Sequence, residues 1–123
     1  MHVIDPAPEN ITATPNATMT GLAAPSRGSA ELSTWDVVMS AGATGPEHSA
    51  DREQVWLLLA GSLEVTSGGR TERVAAGRTL VLPAGALRRI AAPEDFRAYV
   101  AMRADGVVSV PGEEHPRELP WTR

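Results

Sequence analysis

The chain contains no cysteine, so disulfides, thiolate nucleophiles and cysteine-ligated zinc are excluded together. Lysine is absent as well, and all 11 basic side chains are arginine. Schiff-base chemistry therefore has no side-chain amine to use. Aromatic residues are few: Trp35, Trp56, Phe96, Tyr99 and Trp121. A core must then be built from Ala, Val and Leu, which favours strands over large helices. Clustered positive charge is also missing. A net charge of −4 and a pI near 5.3 argue against a nucleic-acid partner, because phosphate binding needs a basic patch. No segment approaches the roughly twenty apolar residues of a membrane span, so no membrane partner is expected. The first residues, MHVIDPAPENIT, show no basic stretch followed by an apolar run. A cytoplasmic location is the expectation, and under it the sequons at Asn10 and Asn16 carry no meaning.

At 123 residues the chain has the length of one domain. Residues 1–17, rich in Pro, Asn and Thr, read as an N-terminal arm or short edge strand; 18–104 as a β-barrel; and 105–123 as a polar, proline-rich tail packing on the barrel or on a partner. Within the barrel region, ELSTWDVVMS alternates so as to turn Ser33, Trp35, Val37 and Met39 inward. VWLLLA, LEVT, RTERVA, TLVLP, LRRIAA and FRAYVAMRA follow as short strands, divided by turns such as SGG at 67–69 and AGR at 76–78. Many short strands with Gly and Pro turns and no helical period predict an all-β barrel or sandwich.

Two spaced patterns sharpen this. Gly42 is followed after five residues by His48, and Gly61 closes the first pattern after six residues from Gln54; Gly77, Pro83 and Gly85 fall at the intervals of a second. The chain thereby resembles the cupin superfamily over roughly residues 30–103. The resemblance implies a cupin-type double-stranded β-helix, a jelly-roll barrel. It also implies a divalent-metal site at four positions, which here are His48, Ala50, Gln54 and Arg88, with the closing Asn of the second motif falling on Ala92. Alanine has no donor atom and a guanidinium has no lone pair, so two of those positions are chemically empty. No metal and no other cofactor is expected.

On the barrel register, Gln54, Trp56, Leu58 and Ala60 face inward, with His48, Ala50 and Arg88 at the same mouth and Phe96, Ala98, Val100 and Met102 on the last strand. A slip by one residue would instead present Arg89. The expected site is an apolar cup with His48, Arg88 and Gln54 as catalytic groups and Trp56, Trp35, Met102 and Met39 as substrate contacts. Arg88 beside His48 should keep the imidazole a neutral base and hold a carboxylate or enolate oxygen. This predicts metal-independent acid–base isomerisation, dehydration or cyclisation of a carbonyl-bearing small molecule, of the kind resembling polyketide or other specialised metabolism. The alternatives are a non-catalytic cupin that binds a small anionic or aromatic ligand, and an oxidase or dioxygenase with a weakly held metal on His48 and Gln54. The plainer readings are Trp35 and Trp56 as core filler and His48 bonded to a backbone carbonyl. A homodimer is expected, since two-fold pairs are the commonest oligomer.

Overall fold

The computed structural model describes all 123 residues. Twelve strands follow in chain order: β1 (Ile11–Ala13), β2 (Thr18–Gly21), β3 (Leu32–Met39), β4 (Ser49–Ala50), β5 (Gln54–Ala60), β6 (Ser62–Ser67), β7 (Arg70–Ala75), β8 (Thr79–Leu82), β9 (Arg88–Ala91), β10 (Phe96–Arg103), β11 (Val107–Ser109) and β12 (Arg117–Glu118). Three one-turn 3₁₀ segments are the only helical structure, and no helix is long and apolar enough to cross a membrane.

The first sheet has the order β1-β2-β3-β10-β5-β8. Its antiparallel registers stack the inward side chains in rows, because directly opposed residues point to the same face. Ser33, Met102, Gln54 and Leu82 form one row; Trp35, Val100, Trp56 and Leu80 form the next. The second sheet runs β7-β6-β9 and is extended by bridges from Thr44 to Ala91 and from His48 to Arg88, after which β4 pairs with β11 and β11 with β12. Leu63, Val65, Val74 and Ile90 face the first sheet and complete one continuous core. Two sheets closing on one core are the double-stranded β-helix that the motif spacing implied.

Gly61 carries the chain from β5 to β6, and hence from one sheet to the other. Its φ is +69°, and a Cβ there would lie 1.9 Å from the carbonyl oxygen of Asp95, so no other residue fits. The inward run of β5 ends one residue sooner than alternation predicts. The ladder pairs Ala98 with Leu58 but Arg97 with Ala60, so Leu59 is an extra residue, and Ala60 turns out to the surface instead of facing the cup.

Both chain ends dock on this body. β1 adds an edge strand to β2. The tail brings Trp121 to 6.5 Å from the Trp35 ring, and Ser33 Oγ donates to the Thr122 carbonyl at 2.6 Å. Arg27 ties the ends together by donating to Asn10 Oδ1 at 3.3 Å and to the Trp121 carbonyl at 3.2 Å.

Candidate functional site

His48 and Arg88 are opposed in an antiparallel bridge and exchange both backbone bonds at 2.9 Å, so their side chains leave the same face of the sheet. That face is the inner one. Arg88 is 1% exposed, Ile90 is buried with it, and Arg89 between them points to solvent. The one-residue slip is thereby ruled out.

From β9 the Arg88 side chain crosses to the first sheet, where Nη2 donates to Gln54 Oε1 at 2.6 Å. The indole Nε1 of Trp56 donates to the same oxygen at 3.2 Å. Two donors on one oxygen fix the orientation of the amide, and Gln54 Nε2 is left facing Met102 Sδ, a weak acceptor, at 3.5 Å. Arg88 Nη1 reaches the Ala86 carbonyl at 3.3 Å, and Nε has no partner. No carboxylate meets the guanidinium. Burial lowers its pKa to about 10, which leaves it cationic at neutral pH.

His48 is half-buried at the edge of this cluster. Its Nδ1 lies 2.9 Å from the Pro46 carbonyl. A carbonyl only accepts, so Nδ1 carries the proton and Nε2 keeps its lone pair. The pKa is held below the ordinary histidine value, first by burial; the bond to Pro46 opposes this, and the Arg88 charge adds to the lowering. Burial, rather than the Arg88 charge expected from the sequence, is the leading cause of the lowering.

The family model described as cupin domain matches residues 35–102, more than half of the chain. The chain is a member of the cupin family. Similar solved structures include a protein of unknown function from Streptococcus pyogenes (25% identity, TM-score 0.62, 71% of this chain and 73% of that one). An RmlC-like cupin from Shewanella frigidimarina is 18% identical, with a TM-score of 0.66 over 76% of this chain and 81% of that one. Salicylate 1,2-dioxygenase from Pseudoaminobacter salicylatoxidans, solved with gentisate, is 17% identical with a TM-score of 0.72; it matches over 83% of this cupin, which spans only 31% of the enzyme. These likenesses are of fold. The search of curated proteins gave no match.

The four positions that hold a metal in cupins of the resembled kind converge in this cupin too, but their chemistry does not fit a cation. Ala50 is buried and offers a methyl group, Gln54 Oε1 is already taken by two donors, and the Arg88 guanidinium fills the space with positive charge. No three His, Asp or Glu side chains gather anywhere in the chain.

The remaining expected contacts are core rather than lining. Trp35 packs against Trp121, Met39 sits opposite Phe96 at the far end of the sheet, and both are buried in the main cluster. Met102 and Trp56 do touch or bond Gln54, yet they too are buried. The open apolar cup expected from the sequence is therefore corrected: the interior is packed with the buried side chains of Trp35, Trp56, Phe96, Met102 and Arg88. A cleft of about 400 Å³ lies instead between β7 and β8, lined in part by Val65, Ser67, Val74, Leu80 and Leu82. Sequence reasoning missed these residues, since which strands end a sheet is set by long-range pairing.

Proposed function

We propose that this cupin acts on a carbonyl-bearing small molecule by metal-independent acid–base chemistry, with His48 as the proton-transfer group and Arg88 as the receptor for an oxyanion. The observation that carries the reading is the buried Arg88 cation, which is held by amide and carbonyl oxygens and has no carboxylate of its own. A buried charge without a counter-ion is costly, and an anionic ligand removes that cost. In the reaction His48 Nε2 takes the proton from the carbon beside the carbonyl. The C–H pair becomes the C=C bond, the carbonyl pair moves to oxygen, and the charge formed there is met by the Arg88 guanidinium. Where that C=C is conjugated to a second one, return of the proton to the far carbon of the dienolate, whose terminal pair forms the new C–H bond, completes an isomerisation without an oxidant. Gln54 holds Arg88 in place, and Trp56 holds Gln54.

Proton transfer is tested directly by incubating the protein in D₂O with a panel of small ketones, 1,3-diketones and keto acids and following C–H to C–D exchange by NMR. Exchange that His48→Ala and Arg88→Met both abolish is the expected result. Exchange with no panel member, or exchange untouched by both substitutions, contradicts it. The closed interior, with Arg88 1% and Gln54 3% exposed, favours a second reading in which the same cation binds an anion without turnover. Calorimetric binding without exchange separates the two. The protein is also proposed to pair with a second copy through the outer face of β5, β8 and β10, where Leu57 opposes Tyr99 and Val81 lies diagonal to Leu57, 44, 39 and 51% exposed respectively.

A further inference from the structure

Beyond β9, toward His48, the second sheet is extended by backbone bonds: residues 44 and 48 bridge to β9, and β4 pairs with β11. At its other edge the second sheet has no such extension. β8 ends the first sheet and β7 ends the second, and no ladder joins them. The cleft between these edges is open to solvent and has a volume of about 400 Å³, toward the lower end of the roughly 300–1,000 Å³ typical of small-molecule pockets. Its floor is apolar, with Val65, Val74 and Leu82 belonging to the core and Leu80 half-buried against it. Ser67 and Leu82, which also line it, are the strand partners of Arg88 and Gln54. Two lining residues of the cleft are thus direct ladder neighbours of the buried polar pair.

We propose that this cleft holds the apolar body of a small amphipathic monocarboxylate, which enters between β7 and β8 and passes its carboxylate inward beside Ser67 to the unpartnered Nε–H edge of Arg88. The inference rests on the reading of Arg88 as an anion receptor. One carboxylate matches one uncompensated cation; a neutral ligand leaves that charge unanswered. Arg88 Nε is a buried donor with nothing to donate to, and a carboxylate supplies the acceptor in a charge-assisted bond. Ser67 donates its hydroxyl proton to the Leu87 carbonyl at 2.7 Å, so it takes no part in neutralising Arg88. No ladder joins β7 to β8, and the bonds across the gap lie at its turn end, where Arg78 N–H donates to the Ala75 carbonyl and Arg78 Nη1 to the Arg73 carbonyl; the proposed entry lies beyond them, past Leu80 and Leu82. At the rim Arg70 is paired with Glu72, while Arg78 bonds only the Arg73 carbonyl and forms no ion pair, which leaves a positive charge on the entry path.

The test is a methyl and arginine-side-chain NMR titration with hexanoate, octanoate and benzoate, each set against its primary amide, on the wild type, Leu80→Trp and Arg88→Met. Expected are saturable shifts for the carboxylates at the Val65, Val74, Leu80 and Leu82 methyls and at Arg88 Nε–H together, with affinity at least tenfold weaker in both variants. Leu80→Trp fills the cleft and leaves Arg88 intact. Shifts at Arg88 with silent cleft methyls, or full affinity in Leu80→Trp, overturn the cleft while the anion receptor stands. Shifts at the cleft methyls that carboxylate and amide produce alike, with Arg88 silent, overturn the receptor and the inference resting on it. No response to any carboxylate overturns both.

Discussion

Arg88 Nη2 donates to Gln54 Oε1 at 2.6 Å across the space between the two sheets, and the oxygen that receives it carries no formal charge. An amide dipole satisfies a guanidinium N–H but does not neutralise it. The chain therefore keeps a cation in its driest region without a counter-ion, a situation that stability alone does not favour.

Removing that cation should stabilise the fold. Arg88→Met keeps the length of the side chain, leaves Gln54 Oε1 with its Trp56 donor, and is expected to raise the unfolding free energy by about 1–3 kcal/mol in urea titration at pH 7. Carboxylate binding should be lost in the same protein. A loss of stability beyond about 1 kcal/mol would mean that the hydrogen bonds of Arg88 outweigh its desolvation.

Gln54→Glu supplies the missing counter-ion from within. The introduced carboxylate forms a buried pair with Arg88, so carboxylate ligands should bind at least tenfold more weakly while the melting temperature at pH 7 rises. It should not create a metal site, since Ala50 and Arg88 still offer no donor; elemental analysis after metal loading checks this.

His48 makes stability depend on pH in a definite direction. Its folded-state pKa lies below the ordinary 6.5, so between those two values the unfolded chain binds more protons and stability rises with pH. The contribution is fully present above pH 6.5 and is lost as pH falls through the lowered folded value. His48→Gln retains a donor for the Pro46 carbonyl and should flatten the acid limb of a plot of unfolding free energy against pH. An unchanged limb would place the acid-sensitive group elsewhere.

The exposed trio on the outer face of β5, β8 and β10 gives a test of oligomeric state. Leu57→Arg sets a charge at its centre without touching the core and is expected to convert a dimer to a monomer in sedimentation velocity. A wild-type monomer at tens of micromolar contradicts the proposed pairing.

Much of this was legible in the sequence. Alternation placed Trp35, Val37, Phe96 and Val100 inward, and the turn residues Gly61, Gly77 and Gly85 lie at positive φ where the motif spacing required them. Arg88 rather than Arg89 was chosen by the same register. What alternation could not deliver was anything decided by a partner distant in sequence. The bulge that expels Ala60 depends on how β10 meets β5. Trp35 stands as lining or as filler until Trp121, 86 positions later, packs against it. Closure of the cup depends on volumes summed over both sheets, and the β7–β8 opening depends on which strands remain unpaired.

Isothermal titration calorimetry of hexanoate and of hexanamide against the wild type and Arg88→Met tests the central claim most directly. The expected result is at least tenfold preference for the carboxylate in the wild type and none in the variant. Equal binding of the two ligands, or a carboxylate preference that survives the substitution, would show that the buried guanidinium receives no anion.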